Sequence, residues 1–249
     1  MTIFGGRFIN NEAALILSSQ SPGLAYVGQA AYIGSADAPG SPSTAKVLGR
    51  YRINSVNEPL VFVEMSTDIL FGIYSVTSIG AGTWDILLYC SAVAGGNSAT
   101  PTAREAKVHC FAPLADRVSG GYGFWLFDSD QKCTFDLGAK MIQPRAIGEF
   151  TAATPPAGSF DLQSYALPSM SRPAICGLAD GVGSRGLVNS PGSGTSTELD
   201  FAGAFLFRAP STLDRTQMCV RAEPVDIPPF ALRMRYRAST VLLIDMADY

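Results

Sequence analysis

Tyr122-Gly-Phe-Trp-Leu-Phe-Asp-Ser-Asp-Gln-Lys-Cys-Thr-Phe-Asp136 reads as a single β-hairpin. An apolar strand, Phe124 to Phe127, runs into Asp128-Ser-Asp130, residue types whose short side chains bond their own backbone and hold a tight turn. A second strand then ends at Phe135. Moved back by 118 residues, the pattern lies without a gap on Phe4-Gly-Gly-Arg-Phe-Ile-Asn-Asn-Glu-Ala-Ala-Leu-Ile-Leu-Ser18. Phe4 meets Tyr122, Phe8 meets Leu126, Ile9 meets Phe127, Asn10 meets Asp128 and Leu17 meets Phe135. Both stretches are expected to be hairpins, and the fold is read outward from them.

Between and beyond the hairpins, short apolar runs are bounded by Gly, Pro, Ser, Asn and Asp, which is the strand pattern. The clearest are Pro59 to Val63, Ile69 to Val76, Trp84 to Tyr89, Val108 to Phe111, Phe201 to Phe207 and Met218 to Val220. Near the C-terminus Leu232-Arg-Met-Arg-Tyr-Arg alternates strictly, placing Arg233, Arg235 and Arg237 on one face and Leu232, Met234 and Tyr236 on the other. A weaker third copy of the hairpin is read from near Phe230, through Arg237-Ala-Ser, to Val241-Leu-Leu-Ile-Asp245. Small-residue stretches at 34–44, 91–102, 152–158 and 181–197 read as loops. Pro59-Leu-Val-Phe has a counterpart in Pro173-Ala-Ile-Cys, and the strand pair at Trp84 and Val108 one at Phe201 and Met218. These observations predict an all-β chain of two tandem antiparallel β-sandwich-like domains, residues 1–120 and 121–249, related by a weak internal repeat.

Composition agrees with many turns and few charges. The 249 residues include 25 Gly and 16 Pro, and only 16% are charged. Mean hydropathy is +0.19, and 47% of residues are apolar, so the chain has material for a core. A net charge of -3 gives no electrostatic footprint for nucleic acid or an anionic membrane. Glu64 and Asp68 interrupt the most apolar region, so no membrane span is expected. The start, Met1-Thr-Ile-Phe-Gly-Gly-Arg7, has neither a basic n-region nor an apolar h-region, so no secretory signal is expected. Cys90, Cys110, Cys133, Cys176 and Cys219 are odd in number and scattered, which reads as small apolar residues of a chain made in a reducing cytoplasm.

The segment from Ser119 to Asp136 resembles a pattern in small virion proteins encoded beside the tail-tip genes of long-tailed bacteriophages. Those proteins carry Tyr-Gly, an apolar strand ending in Asn or Asp, a short turn, and a strand ending in Phe-Asp-Ser. Upstream they tend to have a Pro-Leu-Val-Phe-Val strand, a strand with a Trp, and a Val-x-x-Phe strand. Here these are Pro59 to Val63, Trp84 to Tyr89 and Val108 to Phe111. The order matches over about residues 1–147; residues 148–249 match loosely, and Leu137 stands where a Ser is usual. The resemblance implies a non-enzymatic structural component of a tail, at the tip, baseplate or fibre attachment. It implies other tail-tip, baseplate or fibre proteins as partners, homo-oligomers following three-fold or six-fold tail symmetry, and a place in the virion after synthesis in the host cytoplasm. It carries no catalytic residues. The alternative is a module binding a host-surface receptor or glycan at the same location, with Trp125 or the Tyr122 to Phe127 cluster as an aromatic platform.

No motif points to chemistry. Gly181-Val-Gly-Ser-Arg-Gly186 spells a dinucleotide fingerprint, but Pro191, Gly192 and Gly194 forbid the helix it needs, so a loop is expected. His109 is the only histidine; its neighbour Cys110 points to the other strand face, so a strand or interface histidine is expected. Asp128-Ser-Asp130 lacks the further ligands of a calcium loop, and one histidine without paired cysteines argues against zinc. Carboxylates meeting from distant strands leave no trace in sequence. The alternating arginines read as a solvated or subunit-contacting face. Arg outnumbers Lys 14 to 4, an interface-like bias. No catalytic, cofactor or metal-binding residue is therefore assigned, no cofactor is expected, and no binding residue is named.

Overall fold

The computed structural model describes residues 5–9, 14–18, 23–37, 47–66, 69–92, 105–114, 124–151, 163–177, 184–189, 196–208, 211–225 and 239–249. These are almost entirely strands: β1 (Gly5–Ile9), β2 (Ala14–Ser18), β3 (Leu24–Asp37), β4 (Val47–Asn54), β5 (Leu60–Glu64), β6 (Ile69–Gly80), β7 (Thr83–Ala92) and β8 (Lys107–Pro113). There follow β9 (Trp125–Phe127), β10 (Cys133–Asp136), β11 (Pro144–Phe150), β12 (Gln163–Ala166), β13 (Pro173–Gly177) and β14 (Ser184–Asn189). The last are β15 (Ser196–Arg208), β16 (Thr212–Val225) and β17 (Ser239–Asp245), with a 3-10 turn at Met246–Asp248. The expected all-β class holds.

Both expected hairpins form: β1 pairs β2 and β9 pairs β10, each as a separate two-stranded antiparallel sheet. At the tip of the second, Asp128 Oδ1 accepts from the backbone N–H of Asp130 and of Lys132, the self-capping turn its residue types foretold.

Thirteen strands form one antiparallel sheet, in the order β11-β17-β13-β5-β8-β3-β4-β7-β6-β15-β16-β12, with β14 attached to β15. The two end strands approach each other. Tyr165 Oη on β12 donates to the Ile147 carbonyl on β11 at 3.3 Å, and Gln163 Nε2 to that of Thr151 at 3.0 Å. A Cβ at Gly148 would stand 2.9 Å from a Val241 methyl and 3.4 Å from the Tyr165 ring, so the closing seam passes where a side chain is missing. The sheet is thus nearly closed, which leaves few open edges.

Strand alternation sorts the side chains of β5, β8, β13 and β17 between an inner core and an outer cluster. Val61, Val63, Val108, Cys110, Ile175, Val241 and Leu243 face inward and meet Tyr51, Phe71, Ile86, Leu88, Phe207 and Leu213 from the opposite wall. The alternate positions Phe62, Phe111, Ala174, Cys176 and Ile244 form a second cluster outside, closed by Met246, Tyr249, Tyr26 and Ile142. Strands β5, β8, β13 and β17 are therefore covered on both faces. This is why Leu60-Val-Phe-Val63 reads as a continuous apolar run rather than an alternating one.

The expected division at residues 120 and 121 does not separate two sheets. β13 pairs β5 at Ile175 and Val63, β15 pairs β6 at Phe205 and Phe71, and the inner core draws on both halves. Each half supplies part of one shared inner core. Read outward from the β5–β13 junction, the path runs β5-β8-β3-β4-β7-β6 one way and β13-β17-β11, then across the seam β12-β16-β15, the other. Register shifts fall at Tyr26/Gly28 opposite Phe111 and Cys110, and at Pro144/Ala146 opposite Ile244 and Leu243.

Two finer readings are corrected. The stretch 181–197 holds strand β14 and the start of β15, because β14 gains a full ladder along Ser196 to Phe201 that offsets its weak propensity. The strand pair at Trp84 and Val108 does not correspond to that at Phe201 and Met218: β7 and β8 lie apart in the sheet, whereas β15 and β16 are hydrogen-bonded neighbours. Short apolar strands share one alternation, so the match slipped by a strand. Residues Leu232 to Arg237, with the arginine face and most of the third hairpin copy, lie outside the described residues.

Candidate functional site at the junction of the two halves

Where β5 meets β13, a polar cluster interrupts the apolar packing. Glu64 closes β5, opposite Lys107 on β8, and Phe62 faces His109. Arg172 immediately precedes β13. Glu64 Oε1 accepts from Lys107 Nζ at 2.8 Å and Arg172 Nε at 3.3 Å; its Oε2 accepts from Arg172 NH2 at 2.8 Å and His109 Nε2 at 3.0 Å. Arg172 NH1 also donates to the Met246 carbonyl at 3.3 Å. Asp245 anchors the segment from below, accepting from the backbone N–H of Ser171 at 2.7 Å and Arg172 at 2.9 Å.

The protonation pattern follows from this network. Burial pushes the Glu64 carboxyl upward, but hydrogen bonds from Arg172, Lys107 and His109 outweigh it and hold the group down to about 2. Glu64 is therefore an anion that only accepts, so His109 Nε2 carries the proton. Nδ1 is left to accept from Tyr26 Oη, 3.2 Å away. Burial, set against the pull of Glu64, keeps the His109 pKa below its ordinary value, so the ring is neutral.

Beside this cluster opens a cleft of about 640 Å³, lined by Glu64, Ser169, Met170, Arg172, Phe207 and Arg208 among others. Arg208 Nε lies 2.6 Å from Asp214 Oδ2, and the same carboxylate accepts from Ser164. The acids sit inward and the cations outward: side-chain exposure is 14% for Glu64 and 3% for Asp214, against 43% for Arg172 and 46% for Arg208. Cleft size is that of a small-ligand site.

His109 lies in a strand and is buried, as its neighbours foretold, and Cys110 packs into the other core. Trp125 packs beside Ala25, Leu114 and Cys133, while Phe124 and Phe127 of the same hairpin are exposed; Tyr122 lies outside the described residues. Ser184 to Gly186 of the glycine motif belong to β14, not to a helix start. Glu64, Arg172 and Arg208 escaped the sequence reading because they are far apart in the chain. The one available signal was an acid closing a fully apolar strand.

No protein-family model matches the chain, and neither a curated protein nor a solved structure does.

Proposed function

We propose that this chain is a non-enzymatic structural component of a bacteriophage tail, at the tip, baseplate or fibre attachment, and that it works through contacts between subunits. The observation that carries the reading is the second hairpin. The segment bearing the resemblance to tail-associated proteins forms its own two-stranded sheet, packed beside Ala25 of β3 through Trp125 and Cys133, and it holds Phe124, Phe127 and Leu137 in solvent, Leu137 at 67% exposure. Grouped exposed apolar side chains on a surface hairpin suit protein docking. In this reading the partners are other tail proteins and further copies arranged on the three-fold or six-fold tail axis. The protein is made in the host cytoplasm and ends in the virion. The matching strand orders of the two halves, together with the paired hairpins, support descent from one duplicated unit spanning about residues 1–120 and 121–249.

The test is composition of purified particles. Peptides of the chain should be found by mass spectrometry in mature virions at a multiple of three copies. Their absence from particles, with abundance in the lysate, sinks the reading. The cleft beside Glu64 favours a second reading, a module at the same location that binds a host-surface glycan or receptor.

A further inference from the structure

The two halves offer an internal comparison of one sheet position with and without the polar cluster. Val61 pairs with Cys110 and Val63 with Val108; in the second half Ile175 pairs with Leu243 and Gly177 with Val241. Laying Pro59 on Pro173 therefore lays Lys107 on Thr240, His109 on Leu242 and Phe111 on Ile244. The matching register shifts lay Tyr26 on Pro144. Where the first half carries Tyr26, Lys107 and His109, the second carries Pro144, Thr240 and Leu242. The same ladder forms there without those side chains, its own buried acid being Asp245 opposite Pro173.

Burying charge is costly, and an ion pair inside a protein is often no more stabilising than the apolar residues that could replace it. The sheet therefore does not require the cluster. What the cluster does is fix Arg172 at the rim of the cleft: two of its nitrogens are bound to Glu64 and a third to Met246. Arg208 enters the same cleft from β15, held by Asp214. With their carboxylates behind them, both guanidinium groups present positive charge to the opening. Ser66, Ser169, Ser171 and Ser211 add hydroxyl groups, and Leu167 and Met170 an apolar patch.

We propose that this cleft binds an acidic saccharide, its carboxylate received by Arg172 and Arg208, its hydroxyls by the serines and its ring face by Leu167 and Met170. Each guanidinium has five N–H groups, and those that Glu64, Met246 and Asp214 do not hold are left to donate to a ligand carboxylate. The proposal rests on the second reading above and gives it a ligand class.

The experiment is an array of acidic and neutral host-type glycans probed with the full chain, followed by calorimetric titration of the best acidic glycan, its neutral counterpart and inorganic phosphate. The acidic glycan is expected to bind at least about tenfold more tightly than its neutral counterpart. Arg208→Ala should lower its affinity by about tenfold or more. Because Arg208→Ala also uncovers Asp214, Ser169→Trp on the exposed rim supplies a second variant that blocks the cleft without touching the core. No binding by any acidic glycan, equal binding of acidic and neutral glycans, phosphate binding as tightly as the acidic glycan, or full binding by Ser169→Trp would each overturn the proposal. Particle composition is read separately, so a failure here leaves the subunit reading standing.

Discussion

His109 Nε2 stands 3.0 Å from Glu64 Oε2, a neutral imidazole donating to a carboxylate that two further cations also hold. The pair joins β8 to β5 at the place where the second half of the chain arrives through Arg172. Its protonation is therefore tied to the integrity of the whole sheet.

Acid should weaken the fold in two stages. His109 has a folded pKa below its unfolded value, so the unfolded chain takes up a proton first, and stability falls as pH drops below about 6.5. Glu64 is held to about 2 when folded, so its contribution is present above the ordinary carboxylate range and is lost as pH falls from about 4.3 towards that value. Urea midpoints measured from pH 8 to 3 should decline with falling pH. His109→Leu, which copies Leu242, should remove the upper stage and keep the lower. An unchanged upper stage in that variant would show that another group causes it.

Glu64→Gln should destabilise the protein by about 1–3 kcal/mol in chemical denaturation, because Arg172 and Lys107 lose a charged acceptor in a partly buried site. Arg145→Ala, which breaks the exposed pair with Asp248, should cost markedly less. Equal effects would mean that the Glu64 cluster is an ordinary surface arrangement.

Phe127→Ser and Leu137→Ser should change stability by no more than about 0.5 kcal/mol, since both side chains already face solvent. If the second hairpin is a docking element, the same changes should lower incorporation into particles or the mass found by light scattering. Loss of stability without loss of assembly would place these residues in the fold instead.

Cys90, Cys110 and Cys176 should resist thiol reagents in the native protein. Burial pushes each of their thiols up to about 12, so almost no thiolate exists at neutral pH. Ellman's reagent should reach them only after denaturant is added, and rapid labelling of any of the three in the folded state would contradict the packing described.

The hairpins, the all-β class and most strands were legible because each rests on local chemistry. Asp128-Ser-Asp130 makes its own turn, and Leu60-Val-Phe-Val63 carries no polar face to expose. How the halves combine was not legible. Nothing in Ile175 or Val63 says that they will pair across more than a hundred residues, and two independent sandwiches need the same alternation as one shared enclosure. β14 was missed for a related reason: Ser184-Arg-Gly-Leu-Val-Asn189 has weak strand propensity and is a strand only because β15 offers it a ladder. The cleft was invisible because Glu64, Arg172 and Arg208 come together only through the β5–β13 and β6–β15 junctions.

Calorimetric unfolding of the full chain alongside Ile86→Ala and Ile175→Ala, one substitution in each half of the common core, tests the shared enclosure most directly. One cooperative transition is expected, with the van't Hoff enthalpy equal to the calorimetric one, and each substitution should lower that same transition by about 2–5 kcal/mol. Two separable transitions, each moved by only one of the substitutions, would contradict the account.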